Sequence, residues 1–214
     1  MRLAFLPLIT LACAAQAATI SVTVVDKDGS PVSDAVVVIV PSAGGKARQP
    51  LPPQATIGQE NMKFLPDVTL VPVGAKLTFV NQDSWDHHLR GTAAGAAQFA
   101  AGTDGGFELR LDGKPVGKPA NTMDVTVDKA GPMLLACHIH SSMRGYVYVT
   151  DSPWSIKTAA DGQAVFDDVP QGVAQVRVWQ ADQLVDLPTR TVNARAAITK
   201  LNFQLQVVPR RRRS

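Results

Sequence analysis

"GPMLLACHIHSSMRGYVYV", residues 131–149, sets two apolar stretches around a short polar loop. Cys137, His138, His140 and Met143 fall within seven positions of that loop. The flanks, Met133-Leu134-Leu135 and Tyr146-Val147-Tyr148-Val149, carry aliphatic, aromatic and β-branched residues that suit a pleated, half-buried surface. The stretch therefore reads as strand, loop, strand. Cys137, His140 and Met143 stand in the spacing C-x-x-H-x-x-M, which lets one short loop wrap three donors around a single ion.

The donor types narrow the ion. Thiolate and thioether select copper, imidazole suits it, and two histidines with one cysteine and a distant axial methionine form a blue-copper arrangement. Structural zinc could use the same thiolate and imidazoles, but methionine is a poor zinc ligand. The loop leaves the set one histidine short. "NQDSWDHHLRG", residues 81–91, follows the strand-like "KLTFV" and offers His87 and His88. Neighbouring residues on an extended chain point to opposite sides, so only one of the two can face the ion.

The chain opens "MRLAFLPLITLACAAQAATI". Arg2, an apolar run and the small-residue site Ala15-Gln16-Ala17 read as a cleaved export signal over residues 1–17, with a run too short to span a bilayer. A lipidated Cys13 is the competing reading; Thr10 stands where such signals usually place leucine. Export points to the periplasm. Cleavage leaves Cys137 as a lone cysteine, which an oxidising compartment tolerates when it is buried, joined to another chain or held by a metal. No other stretch is apolar long enough to cross a membrane. The formal charge of +3 rests on the terminal "RRRRS", without which the chain is slightly acidic. The basic end, residues 209–214, reads as a solvated, disordered tail, with docking to an acidic partner or membrane surface as the alternative. Export argues against nucleic acid as a partner.

The remainder reads as strands and turns. "ISVTVVDKDGSPVSDAVVVIV" is strand, turn, strand, and residues 41–54 carry four prolines and two glycines. "VTLVPVGAKLTFVN", "FELRL", "MDVTVD" and "PMLLAC" supply further strands, with an Ala/Gly-rich surface loop at 93–106. After Ser152, "TAADGQAVFDDVPQGVAQVRVW" gives two strands about a turn, and "TRTVNARAAITKLNFQLQV" reads as a closing hairpin. Met62, Met123 and Met133 read as core, as do Trp154 and Trp179 in the outer strands. Trp85 reads either as a cover for the site or as ordinary packing.

Two resemblances organise these strands. "MKFLPDVTLVPVGAKLTFVNQDSWDHH" followed by "GPMLLACHIHSSMRGYVYV" resembles the cupredoxins, especially plastocyanin and amicyanin, over residues 60–150. The architecture resembles bacterial plastocyanin-like proteins of the kind called methylamine-utilisation proteins. The resemblance implies a Greek-key β-sandwich, one type 1 copper ion, and His87, Cys137, His140 and Met143 as its ligands, His87 being the histidine six residues after Asn81. It implies electron transfer between protein redox partners. Two positions depart from the pattern: His88 stands where asparagine usually ties the ligand loops together, and His138 adjoins the cysteine. Separately, "VVDKDGSPVSDAVVVIV" and "TAADGQAVFDDVPQGVAQVRVW" resemble two halves of a carboxypeptidase-regulatory-like, transthyretin-like sandwich. The implied fold is all-β, a cupredoxin sandwich inserted in a transthyretin-like one. The boundaries are 18–45 for the first half, 46–55 for a linker, 56–150 for the copper domain and 151–208 for the second half.

Each residue also has a plain structural use. Cys137 could pack as a small hydrophobe, Met143 could fill core, and His140, His88 and His138 could sit at the surface. Enzyme readings fare worse. A Cys/His hydrolase would need a third group to orient the base, and none stands out in the sequence. A binuclear copper centre needs a second cysteine, and a multicopper oxidase needs more than the four histidines present. The expectation is a monomeric, non-enzymatic copper carrier. The rival is a copper-sequestering protein or a carbohydrate- or protein-binding module.

Overall fold

The computed structural model describes residues 17–95, 106–195 and 197–210. Residues 1–16 of the expected export signal, most of the 93–106 stretch expected as a loop, and residues 211–214 of the expected basic tail lie outside the described residues. Among the described residues the chain is all strand and turn. No helix is long and apolar enough to cross a membrane.

The strands form four sheets. β1 (Ala17–Val25) lies between β13 (Gln163–Pro170), antiparallel, and β16 (Thr199–Gln204), parallel. β2 (Val36–Pro41) lies between β12 (Trp154–Lys157) and β14 (Gly172–Trp179), with β15 (Arg190–Ala194) outermost. These two sheets face each other. Alternation on β1 turns Ala18, Ile20, Val22 and Val24 into the gap, where they meet Val37, Ile39, Phe166, Val176 and Phe203.

The middle of the chain builds the other pair. One sheet has the order β5 (Val68–Pro72), β11 (Arg144–Thr150), β10 (Gly131–Cys137), β7 (His87–Ala93), β8 (Phe107–Leu111). The second has the order β4 (Lys63–Leu65), β3 (Gln54–Glu60), β6 (Ala75–Asn81), β9 (Asn121–Val127). Their shared core holds Ile57, Phe64, Leu77, Phe79, Leu89, Leu135 and Val147, with Cys137 and Met143 at its edge of chemistry.

A third apolar cluster joins the pairs into four layers. β2 is buried along almost its whole length because both its faces are covered. Val37 and Ile39 enter the outer core, while Val36 and Val38 meet Val68, Tyr148 and Trp179. β11 divides in the same way: Val147 and Val149 point inward, and Tyr146 and Tyr148 point toward the outer unit. The Trp179 ring lies 5.7 Å from Tyr146, edge-on as aromatic quadrupoles prefer, and 5.4 Å from Tyr148, tilted.

Several expectations need correction. Residues 190–204 are not a hairpin: β15 pairs with β14, whereas β16 crosses to the other sheet and pairs with β1. The crossing covers the edge of β1 opposite β13 and brings Phe203 into the core. Trp154 is outer core, but Trp179 belongs to the junction. Met62 and Met123 are exposed, since Met62 sits in the turn between β3 and β4 and Met123 on the uncovered side of an edge strand. Met133 is buried.

Trp179→Ala removes the largest side chain of the junction. It is expected to cost about 3 to 5 kcal/mol, the usual range for truncating a buried aromatic. Denaturant unfolding of the metal-free protein checks the value.

Candidate metal centre

Asn81 ends β6 and is fully buried. Its side-chain oxygen accepts the Asp83 N–H at 3.0 Å. Its amide nitrogen donates to Trp85 O at 2.9 Å and Asp112 O at 3.0 Å, and lies 3.3 Å from Leu111 O. One side chain thus folds the 82–86 loop back on itself and ties it to the end of β8. Asp86 adds a second tie. Its carboxylate accepts the Gly113 N–H at 2.9 Å and a hydrogen bond from Arg110 at 3.1 Å. The Gly113 bond, and after it the guanidinium, hold Asp86 below the usual carboxylate range. Gly113 has to be glycine, because a Cβ there would lie 2.3 Å from the Ser84 carbonyl oxygen.

The tied loop delivers His87 at the first position of β7, completely buried. β7 and β10 pair with Leu89 opposite Cys137, which puts the thiol on the inner face at the end of its strand. The loop beyond Cys137 turns tightly. Met143 N–H donates to His140 O at 2.9 Å, and Cys137 N–H donates to Met143 O at 3.2 Å. A backbone bond ties the two segments, as His138 N–H donates to His88 O at 2.8 Å.

Three donors converge. Cys137 Sγ lies 3.7 Å from His87 Nδ1 and 3.6 Å from His140 Nδ1, and the three ligand atoms all fall within 4.8 Å of one another. A central ion with a metal–sulfur distance of about 2.3 Å and metal–nitrogen distances of about 2.0 Å, at about 120°, separates sulfur from nitrogen by about 3.7 Å. The spacing therefore fits a metal ion held by all three, and thiolate with two imidazoles fits copper. The Cys137 side is dry, and Met143 is buried in the same apolar cluster. His140 is the one member of the trio that is only partly buried.

His88 and His138 lie elsewhere. Their rings are 4.9 Å apart, and His88 Nε2 meets Glu108 Oε1 at 2.5 Å. The structure thus brings His87, Cys137 and His140 together, buries Met143 beside them, and turns His88 away. Trp85 is exposed rather than packed. Sequence reasoning missed Asp83, whose Oδ2 lies 2.9 Å from His87 Nε2. A carboxylate four residues before a candidate ligand was the available signal.

No family model matches the chain, and no curated protein matches it. Among solved structures it is similar to the amicyanin of Paracoccus versutus, at 21% identity over 52% of this chain and 97% of that one, with a TM-score of 0.33. It is similar to a reduced amicyanin variant at 20% identity, covering 52% of this chain and 98% of that one, TM-score 0.33. A copper-containing nitrite reductase from Thermus scotoductus SA-01 shares 25% identity over 52% of this chain, TM-score 0.35, and this chain spans only 25% of it. The fold of the described residues is all-β. About half of this chain takes part in each likeness, and the rest of it has no counterpart there.

Asn81→Leu leaves the carbonyls of Trp85 and Asp112 without their donor. At about 1 to 3 kcal/mol for each group left unpaired, a loss of about 2 to 6 kcal/mol is expected, checked by chemical denaturation of the metal-free protein.

Proposed function

We propose that this is a periplasmic type 1 copper protein that carries single electrons between protein redox partners. The observation that carries the reading is the approach of two imidazole Nδ1 atoms to one buried thiol, at 3.7 and 3.6 Å, in the cupredoxin-like half of the chain. His87, Cys137 and His140 would hold one copper ion, and Met143 would be its weak axial neighbour. When bound, copper supplies a one-electron couple.

The side chains have separable tasks. Cys137 supplies the strong thiolate donor, and metal binding would also shelter a lone thiol from oxidation outside the cytoplasm. His87 is held rigidly at the buried end. His140 is the donor nearest solvent and so the natural contact for a partner. Leu89, Leu135 and Phe64 keep water from the Cys137 side. Donors fixed by strand pairing and by backbone bonds move little when the charge of the ion changes, which suits a carrier. Residues 18–45 and 151–208 read as the interrupted transthyretin-like sandwich around this unit, supported by the pairing of β1 and β2 with strands of the C-terminal segment only. Periplasmic placement is supported by the sequence of residues 1–17. The role is that of a carrier rather than an enzyme.

Spectroscopy of the copper-loaded mature protein tests the reading. One copper per chain and an intense thiolate charge-transfer band are expected. Cys137→Ser is expected to abolish the band and His87→Ala to lose the site, whereas His88→Ala retains copper. A Cys137→Ser protein as strongly coloured as wild type would overturn the assignment. Reversible reduction with fast self-exchange separates a carrier from a sequestering protein, which would hold one oxidation state and release copper readily to chelators.

Met143→Leu is expected to keep copper and colour but raise the reduction potential. The Met143 thioether would be a weak donor to the ion, so its loss would cost little binding, yet what it donates would favour the oxidised ion. Each tenfold change in the redox equilibrium moves a one-electron potential by about 59 mV. Voltammetry of both proteins measures the shift.

A further inference from the structure

Asp83 is a carboxylate buried to all but 5% of its surface, with no place in the donor set. Its Oδ1 accepts the Asn61 N–H at 2.7 Å. Its Oδ2 lies 3.2 Å from Met62 N and 2.9 Å from His87 Nε2. Asn61 and Met62 both occupy the left-handed region, at φ 53° and 57°. Met62 has no polar side chain to favour that conformation and points into solvent, so the turn holds an uncommon shape that delivers two successive amides to one carboxylate.

The bonds fix a proton. Backbone amides only donate, so both Asp83 oxygens act as acceptors toward them. With the carboxylate as acceptor, the remaining partner, His87 Nε2, is the donating ring nitrogen. That leaves the lone pair on Nδ1, the atom 3.7 Å from Cys137 Sγ. Anchoring the turn alone would need only the two amides. The third contact reaches through an imidazole to the metal donors.

Resting on the copper reading above, we propose that Asp83 is a positioning residue for His87: its carboxylate sets the tautomer and orientation of the ring and makes Nδ1 a stronger donor. A carboxylate hydrogen-bonded to the far nitrogen of a ligating histidine raises ligand basicity. The added donation and the nearby negative charge both favour the oxidised ion, so wild type binds Cu(II) more tightly, and has a lower potential, than it would without Asp83.

The test compares full-length mature wild type, Asp83→Asn and Asp83→Ala, each loaded with copper. In Asp83→Asn the amide oxygen can still accept from His87 Nε2, while its NH2 opposes the Asn61 amide, so the charge is lost and the ring is largely held. Asp83→Ala loses both. Cu(II) affinity is expected to fall about 10- to 100-fold, the usual effect of removing such a partner. Cu(I) affinity should fall less, and each tenfold difference between the two raises the potential by about 59 mV. In the reduced, diamagnetic protein the His87 Nε2–H proton should be visible by NMR in wild type and lost to solvent exchange in Asp83→Ala. Should Asp83→Ala fail to fold, Asp83→Asn decides. A folded Asp83→Asn protein with wild-type potential and wild-type Cu(II) affinity overturns the proposal. Wild type without copper binding or a thiolate band would instead overturn the reading on which it rests.

Discussion

Leu89 faces Cys137 across the β7–β10 ladder, and one residue further on the His138 N–H reaches the His88 carbonyl at 2.8 Å. The convergence of donors depends on this register. Side chains alternate along a strand, so a slip of one residue would turn Cys137 toward solvent and exchange His87 for His88. Apolar packing prevents the slip, because Leu89 and Leu135 lie in the inner core only in the observed register. The hydrophobic core therefore specifies where these side chains stand, and Cys137 and Met143 are themselves part of it.

The same alternation joins the two units. β2 and β11 are each apolar on both faces, one face for a core and one for the junction. A strand covered on both sides has no solvent face on which to place polar residues, and "VVVIV" and "YVYV" are the result. Among the described residues the 138–142 loop is instead largely solvent-facing, with Ile139 and His138 exposed. The molecule keeps its rigidity in the layers and its access at one loop.

Local patterns were legible in the sequence. Alternation located β1, the apolar runs located β2 and β11, and the C-x-x-H-x-x-M spacing singled out the loop whose Cys137 and His140 the structure brings together with His87. What stayed hidden was non-local. Whether residues 190–204 close on themselves or divide between sheets depends on the edge of β1, at the opposite end of the chain. Trp179 carries the composition of a core residue, and only the stacking of layers assigns it to the junction. Asp83 was invisible for the same reason. Its partners at Asn61 and Met62 are brought to it by the parallel pairing of β3 with β6, which no window around Asp83 contains.

That pairing gives the buried carboxylate a physical logic. An ionised group is costly to bury unless it is fully hydrogen-bonded. At Asp83 two amides come from the turn after β3 and the third partner is His87, so the fold itself supplies the compensation. Asn81, two residues earlier, is saturated in the same way by the loop and the end of β8. The segment from 81 to 87 thus carries two buried polar side chains whose bonds all serve to hold one histidine, while the Cys137–Met143 loop holds its donors through two backbone bonds and an apolar bed. The two halves of the donor set are fixed by different means.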